Sequence, residues 1–236
     1  MIYGSFEMFY RKRSGILARR NISLPNTFGA TLPLENLNSQ DTRGWELELG
    51  TAGHFHDLNY DVKANFSGSR SKWIHYEEPD YTDPDQIRLS KNSGKWVDRT
   101  IGYISNGLFT SQEQIDNLTY SYPGGNGRLR PGDLIIVDRN NDGTIDWRDQ
   151  DIIGKGTVPH YMMGLNFNLS YKGFDLSMLF QGAFGFYKKL IFSGGENYYS
   201  FVYDKRWTKD NNDPNALIPR LSGAPTNSYV TQNNFV

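Results

Sequence analysis

Apolar and polar residues alternate with period two in five separate stretches of the chain. From Gly4 to Tyr10, Phe6, Met8 and Tyr10 share one face, opposite Ser5, Glu7 and Phe9. From Trp45 to Thr51, Trp45, Leu47 and Leu49 oppose Glu46, Glu48 and Gly50. From Asp61 to Ser67, Val62, Ala64 and Phe66 oppose Asp61, Lys63, Asn65 and Ser67. Leu165, Phe167, Leu169 and Tyr171 oppose Asn166, Asn168 and Ser170. Phe174, Leu176, Met178 and Phe180 oppose Asp175, Ser177, Leu179 and Gln181. Strand side chains point alternately to the two sides, so the pattern predicts five β-strands, each with one apolar face.

Short links join some of these stretches. Tyr171-Lys172-Gly173-Phe174 reads as a tight hairpin, and His54 to Asn59 is a second short link. Residues 11–43, 72–160 and 185–236 are long connections rich in Pro, Gly, Asn and charge. Connections of that length are usually functional or disordered. Within the middle one, Ser111-Gln-Glu-Gln114 resembles a capping box, with Ile115 and Leu118 following at helical spacing, and predicts a short helix. Short and long connections alternate, as in an outer-membrane barrel with short turns at one end and long loops at the other. A soluble β-sandwich with one solvated face gives the same alternation, so periodicity leaves both open.

Composition narrows the classes. Aromatic residues make up 14% of the 236 residues while hydrophobic residues total only 37%, and Asn occurs 21 times. That balance favours an all-β protein with long polar loops. The 25 basic and 26 acidic residues leave a net charge of −1, which excludes a strong basic field and with it a nucleic-acid partner. Cysteine is absent, so there is no disulfide framework, thiolate metal site or cysteine nucleophile. No apolar run is long enough for a transmembrane helix, although barrel strands escape such a scan. Met1-Ile-Tyr-Gly-Ser-Phe-Glu has neither the charged start nor the apolar middle of a signal peptide. The expectation is either a cytosolic protein or a piece of a longer one.

The sharpest chemical motif runs from Asp138 to Asp149. Asp138, Asn140, Asp142, Gly143, Asp146 and Asp149 fall at positions 1, 3, 5, 6, 9 and 12 of an EF-hand-type calcium loop. A hard cation needs six to eight converging oxygens, and alternate positions of a tight loop supply them. Thr144 offers its backbone carbonyl, Gly143 permits the sharp turn and Ile145 anchors the loop to apolar surface. Asp149 replaces the usual Glu and reaches less far, so a weak Ca2+ site is expected, with Kd on the order of 10⁻⁴ to 10⁻⁵ M. A strand pattern, Leu134 to Val137, precedes the loop where an EF-hand has a helix, which makes it a calcium staple and not a sensor. The residues also allow a metal-free Asn/Asp/Gly turn cluster.

No enzyme constellation emerges. His54, His56, His75 and His160 lack a third ligand at metal spacing. Neither a G-x-S-x-G elbow nor a Walker A loop occurs, and Gly124 to Gly127 reads as a turn. Glu77, Glu78, Asp80 and Asp83 read as a solvated loop. The expectation is therefore a protein without catalytic residues. The loop aromatics Trp73, Trp96, Tyr198, Tyr199 and Trp207 are candidates for stacking on a ligand or anchoring a partner. Packing within the loops or an aromatic girdle would use them equally well.

These motifs occur in a telling order. Gly102-Tyr103, Gly107 and Glu113-x-Ile115 are followed by Gly132-Asp-Leu, the Asp138–Asp149 string, Ile153-Gly154, Pro159 and the pair around Tyr171-Lys-Gly-Phe-Asp-Leu-Ser177 with Phe180-Gln-Gly182. Tyr10, Lys12-Arg13 and Leu17, then Gly44-Trp-Glu-Leu-Glu48, precede them; Trp207-Thr and Pro219-Arg220 follow. Over most of residues 8–222 this resembles the late barrel region of the SusC/RagA family of TonB-dependent outer-membrane transporters. The resemblance implies a partial transmembrane antiparallel up-and-down β-barrel spanning 1–236. About five strands and long extracellular loops are expected, with loop 72–160 carrying the 138–149 motif. It implies import of glycans or peptides with a SusD-type surface lipoprotein as lid, energised by the TonB complex through an N-terminal part not seen here, in the outer membrane of a Gram-negative bacterium and in contact with its lipid. Five strands cannot close a barrel whose relatives have about twenty-two, so the expectation is a fragment lacking plug and final strands.

In that frame residues 4–12 ascend, 44–54 descend, 60–70 ascend, 161–171 descend and 174–184 ascend. The alternative is a secreted soluble β domain that binds carbohydrate through calcium; a glycosidase fragment using loop carboxylates ranks below it. A soluble domain needs a polar outer sheet face, which is the feature that separates it from a barrel.

Overall fold

A computed structural model describes residues 1–21, 32–188, 193–194 and 197–221, with Ser193–Gly194 and Asn197–Tyr198 described by backbone alone. The strands in chain order are β1 Ile2–Arg19, β2 Leu34–Phe55, β3 Leu58–His75, β4 Thr100–Tyr103, β5 Ser105–Leu108, β6 Leu134–Ile136, β7 Gln150–Gly154, β8 Tyr161–Tyr171, β9 Phe174–Phe184, β10 Ser193–Gly194 and β11 Asn197–Tyr198. Three short helices are α1 Pro84–Leu89, α2 Gln112–Asp116 and α3 Ser200–Lys205. The chain divides into two units: residues Met1–Arg99 with Lys155–Tyr187, and Thr100–Gly154 with Lys188–Val236.

The first unit is an antiparallel sheet in the order β1-β2-β3-β8-β9. Its register lines residues into rows: Phe6, Leu47, Phe66 and Met163 lie abreast, and so do Leu49, Ala64, Leu165 and Phe180. The intervening rows hold Glu48, Asn65 and Gln181, and Asp61, Asn168 and Ser177. All five predicted strands therefore exist, and their apolar faces add up to one continuous apolar surface. Nothing in the sheet covers it: Phe6 is 61% exposed, Met8 78%, Phe180 57% and Phe174 80%. A sheet of this kind needs lipid or protein against that face, because water contact with so many large side chains is unfavourable.

The strands run further than their apolar alternation. β1 continues to Arg19 and β2 begins at Leu34, within the segment read from sequence as a connection. Backbone pairing continues there through the polar run Arg11 to Ser14 and past register shifts at Ile16, so the period-two signal is lost where the backbone keeps the strand. Arg20 meets Glu35 at 2.6 Å at that end. Both short turns are two-residue hairpins. Lys172 and Gly173 both take positive φ (47° and 85°), the geometry that matches strand twist. The other turn narrows to His56 and Asp57, since β2 reaches Phe55 and β3 starts at Leu58.

Above β8, a strap covers the open edge of β3. Trp96 bridges Lys72, and Trp73 N–H donates to the Lys95 carbonyl at 2.9 Å. Leading into it, Asp83 caps α1 by accepting from the N–H groups of Asp85 and Gln86, with Pro84 in the first turn. The Asp-Pro pair was the available signal for this helix, which hydropathy did not reveal.

The second unit has its own core, built from Leu108, Phe109, Ile115, Tyr122, Leu129, Leu134, Ile136, Ile145 and Trp207. β4 pairs with β7 and β5 with β6. The predicted helix is α2, capped by the Ser111 hydroxyl accepting from Gln114 N–H at 3.3 Å. The box is half formed, because the Gln114 side chain turns to the Thr110 N–H instead. Ile115 is buried and Leu118 packs against the core, as their spacing requires. Most of the long middle connection is thus ordered chain around apolar residues too scattered in sequence to show a period.

Candidate functional site

The Asp138–Asp149 loop is a dense set of side-chain-to-backbone bonds. Asp138 Oδ2 accepts from Gly143 N–H at 2.9 Å, Asn140 Oδ1 from Asp142 N–H at 3.1 Å, and Asp142 Oδ1 from Thr144 N–H at 2.9 Å. Gly143 has φ +81°, a conformation that disfavours any side chain. Ile145 is fully buried and anchors the loop through its N–H to the Ser121 carbonyl at 2.8 Å. Asp149 is 1% exposed and closes the loop: Oδ1 accepts from Arg139 N–H at 2.8 Å and Oδ2 from Asp146 N–H at 2.7 Å. Asp146 caps the 3-10 turn Trp147–Asp149 and also holds Arg148 at 2.9 Å.

Two facts bear on whether these residues fit a cation. Asp138 Oδ1 is buried with no hydrogen-bond partner, a costly state for a carboxylate oxygen. Against it, among the described residues no three acidic, His or Cys side chains gather as a metal-holding group. The carboxylates are spent on N–H groups, so a bound cation would compete with those bonds. The donors are all hard oxygens, the orphaned oxygen belongs to the first loop position, and the set fits calcium better than a softer metal.

The loop aromatics have separate surroundings. Trp96 lies under the Arg70 guanidinium, 4.3 Å from ring centroid to the charge. Trp73 stands edge-on to Tyr76 with centroids 4.9 Å apart. Tyr199 is 58% exposed and stacks on Phe201. Trp207 is 8% exposed, lies over Gly132 and donates its indole N–H to Asn212 Oδ1 at 3.0 Å. Its large apolar surface is committed to the second core. The side chain of Tyr198 lies outside the described residues.

Two polar clusters went unseen in the sequence because their members are far apart in it. Asp133, 1% exposed, pairs with Arg220 at 2.7 Å and accepts from Arg130 N–H. Asp98 takes Arg70 Nε at 3.1 Å and contacts His160 Nε2, tying the strap to β3 and to the start of β8. Burial pushes the Asp98 carboxyl up, but the bonds from His160 and Arg70 outweigh it and hold it below the usual carboxylate range. A group with a depressed folded value stabilises above its unfolded value and loses that contribution as pH falls through the folded one. Protease protection of residues 76–99 is therefore expected to be constant from pH 8 to about 5 and to fail only below about pH 4. Loss of protection already near pH 6 would exclude Asp98 as the controlling group. A groove of about 470 Å³ in the second unit, lined by Tyr103, Ile104, Leu108, Ile152 and Leu217 among others, is a further concave surface.

An antiparallel up-and-down sheet whose apolar face stands uncovered has the form of a transmembrane β-barrel wall, here five strands of one. No family model matches the chain. By sequence it is similar to TonB-dependent receptor P26 of Formosa agariphila, 27% identical over all of this chain and 25% of the relative. It is also similar to TonB-dependent receptor SusC of Bacteroides thetaiotaomicron, 26% identical over 86% of this chain and 19% of the relative. The chain thus spans about a quarter or less of these relatives. Its fold matches the RagAB peptide transporter structure with a TM-score of 0.61 at 17% identity, over 95% of this chain and 24% of that one. In sequence the chain is thus similar to part of TonB-dependent receptors, SusC among them, and in fold to part of the RagAB transporter structure. Receptors of this type are outer-membrane proteins of Gram-negative bacteria.

Proposed function

We propose that this chain is part of the barrel of a TonB-dependent outer-membrane transporter that imports glycans or peptides with a SusD-type lipoprotein as lid. The observation that carries the reading is the sheet register, which joins five apolar faces into one lipid-facing surface in a chain similar throughout to TonB-dependent receptors. In this reading the hairpins at His56–Asp57 and Lys172–Gly173 face the periplasm. Residues 72–160 lie on the extracellular side, and of the described aromatic side chains Trp73 and Tyr199 are the candidates for contact with ligand or partner. Affinity capture of the whole receptor from solubilised outer membranes is expected to bring down one lipoprotein in equal amount. Recovery of the receptor alone, under conditions that keep the barrel folded, would contradict the lid.

Within the extracellular region the Asp138–Asp149 loop binds Ca2+ weakly, using Asp138, Asn140, Asp142 and Asp149 side chains, the Thr144 carbonyl and Asp146. The support is the spacing, the hard-oxygen donor set and the orphaned Asp138 Oδ1. Calcium supplies a positive charge that offsets the repulsion among these acids and stiffens the loop. Millimolar calcium is expected to slow trypsin cleavage at Arg139 and Arg148 several-fold, and Asp138→Asn is expected to abolish that effect. Equal cleavage with calcium and with chelator in the unsubstituted protein would refute the site.

A further inference from the structure

The outward face changes character at its upper end. A row of aromatic residues, Trp45 and Tyr161 with Phe184, closes the apolar band. The next row on the same face holds Tyr10, Arg43 and Arg70, and the one above holds Lys12, Asp41 and Lys72, with Trp96 bridged to Lys72. Four cations thus stand beside the aromatic row. Arg70 is committed to Asp98. Asp41 is buried and accepts the Tyr10 hydroxyl at 2.5 Å. Among the described residues, Lys12, Arg43 and Lys72 have no carboxylate within ion-pair distance. The other end of the same strands lacks this excess: Lys172 is paired with Asp57 at 3.5 Å.

We propose that Lys12, Arg43 and Lys72 form a docking surface for the phosphate groups of the outer-leaflet glycolipid, with Trp96 and Tyr10 flanking the headgroup. The inference rests on the barrel reading above. Three cations without a carboxylate partner at the rim of an apolar band, Arg43 among them over the Tyr10 ring at 5.7 Å, match an amphiphile with acyl chains against the band and anionic groups at its edge. Neighbouring strands are about 4.8 Å apart, so Lys12 and Lys72, two strands distant, straddle about 10 Å and suit a headgroup carrying two phosphates better than one. The asymmetry between the two ends assigns the surface to one leaflet, because a mere solubilising charge has no reason to avoid the opposite rim.

The test uses the whole receptor purified from outer membranes, delipidated, and reconstituted in vesicles of neutral lipid doped with bisphosphorylated lipid A or its dephosphorylated form. Native mass spectrometry then reads retained glycolipid. The unsubstituted protein is expected to retain the bisphosphorylated form preferentially. Lys12→Gln/Arg43→Gln/Lys72→Gln is expected to bind it on the order of a hundredfold more weakly. Arg11→Gln/Arg13→Gln, charge changes read onto the opposite face, is expected to behave as unsubstituted protein. If the triple variant fails to assemble, the singles Lys12→Gln and Lys72→Gln are each expected to show a graded loss. Equal retention of both lipid forms, or unchanged retention in the variants, overturns the proposal while leaving the barrel intact. A receptor absent from the outer membrane overturns the barrel reading and this proposal together.

Discussion

Leu165→Arg is expected to destabilise the receptor in the bilayer by about 2–4 kcal/mol, and Asn166→Arg by less than about 1 kcal/mol. The two positions are adjacent in β8 and differ only in the face they occupy. Leu165 lies abreast of Leu49, Ala64 and Phe180, near the middle of the apolar band. Asn166 lies abreast of Lys63 on the polar face. β8 has 11 residues; at about 3.3 Å per residue and a tilt of about 40° it spans roughly 25–30 Å, the height of an apolar band. A guanidinium at Leu165 has no water to reach, whereas at Asn166 it enters a wet lumen. Urea titration of the receptor folded into thin-bilayer vesicles measures both costs. Equal costs at the two positions would contradict the assignment of faces.

Arg220→Ala is expected to cost about 3–5 kcal/mol in the second unit, the other large effect. It leaves Asp133, 1% exposed, as a buried carboxylate with its guanidinium partner removed. Arg220 N–H also donates to the Gly132 carbonyl at 3.0 Å, so the backbone bond survives the substitution and the loss reports the charge. Asp133→Asn/Arg220→Ala is expected to recover part of the loss, because it removes the unpaired charge. Hydrogen exchange across residues 100–154 is the readout. If the single variant exchanges like the unsubstituted protein, the pair is not structural.

The sheet was legible in the sequence because each strand has one face in an apolar medium. Phe6, Leu47, Phe66, Leu165 and Phe180 fall on one side by period alone, and pairing then puts them on one surface. Strand ends were not legible. After Tyr10 the run Arg11 to Ser14 is polar on both faces, and register shifts at Ile16 break the alternation, so β1 continues to Arg19 without a period-two signal. The second core was also hidden, since Phe109, Ile136, Ile145 and Trp207 meet from segments without a common period. The Asp138–Asp149 loop was visible as a motif because its oxygen-bearing residues sit within twelve positions. The bonds of Asp149 to Arg139 and Asp146 N–H groups were not, as they depend on backbone conformation. Trp207 looked like a free aromatic and lies in the core, because its partner Gly132 is distant in sequence.

The most direct test of the barrel assignment uses the absence of cysteine from these 236 residues, with any cysteine elsewhere in the receptor replaced by serine. Single cysteines are placed at 162 through 170 along β8 in the receptor in intact outer membranes, and a membrane-impermeant maleimide is applied. Alternating reactivity is expected, with 163, 165, 167 and 169 protected by lipid and 164, 166, 168 and 170 labelled from the lumen. Uniform labelling, or protection on both faces, would contradict a barrel wall.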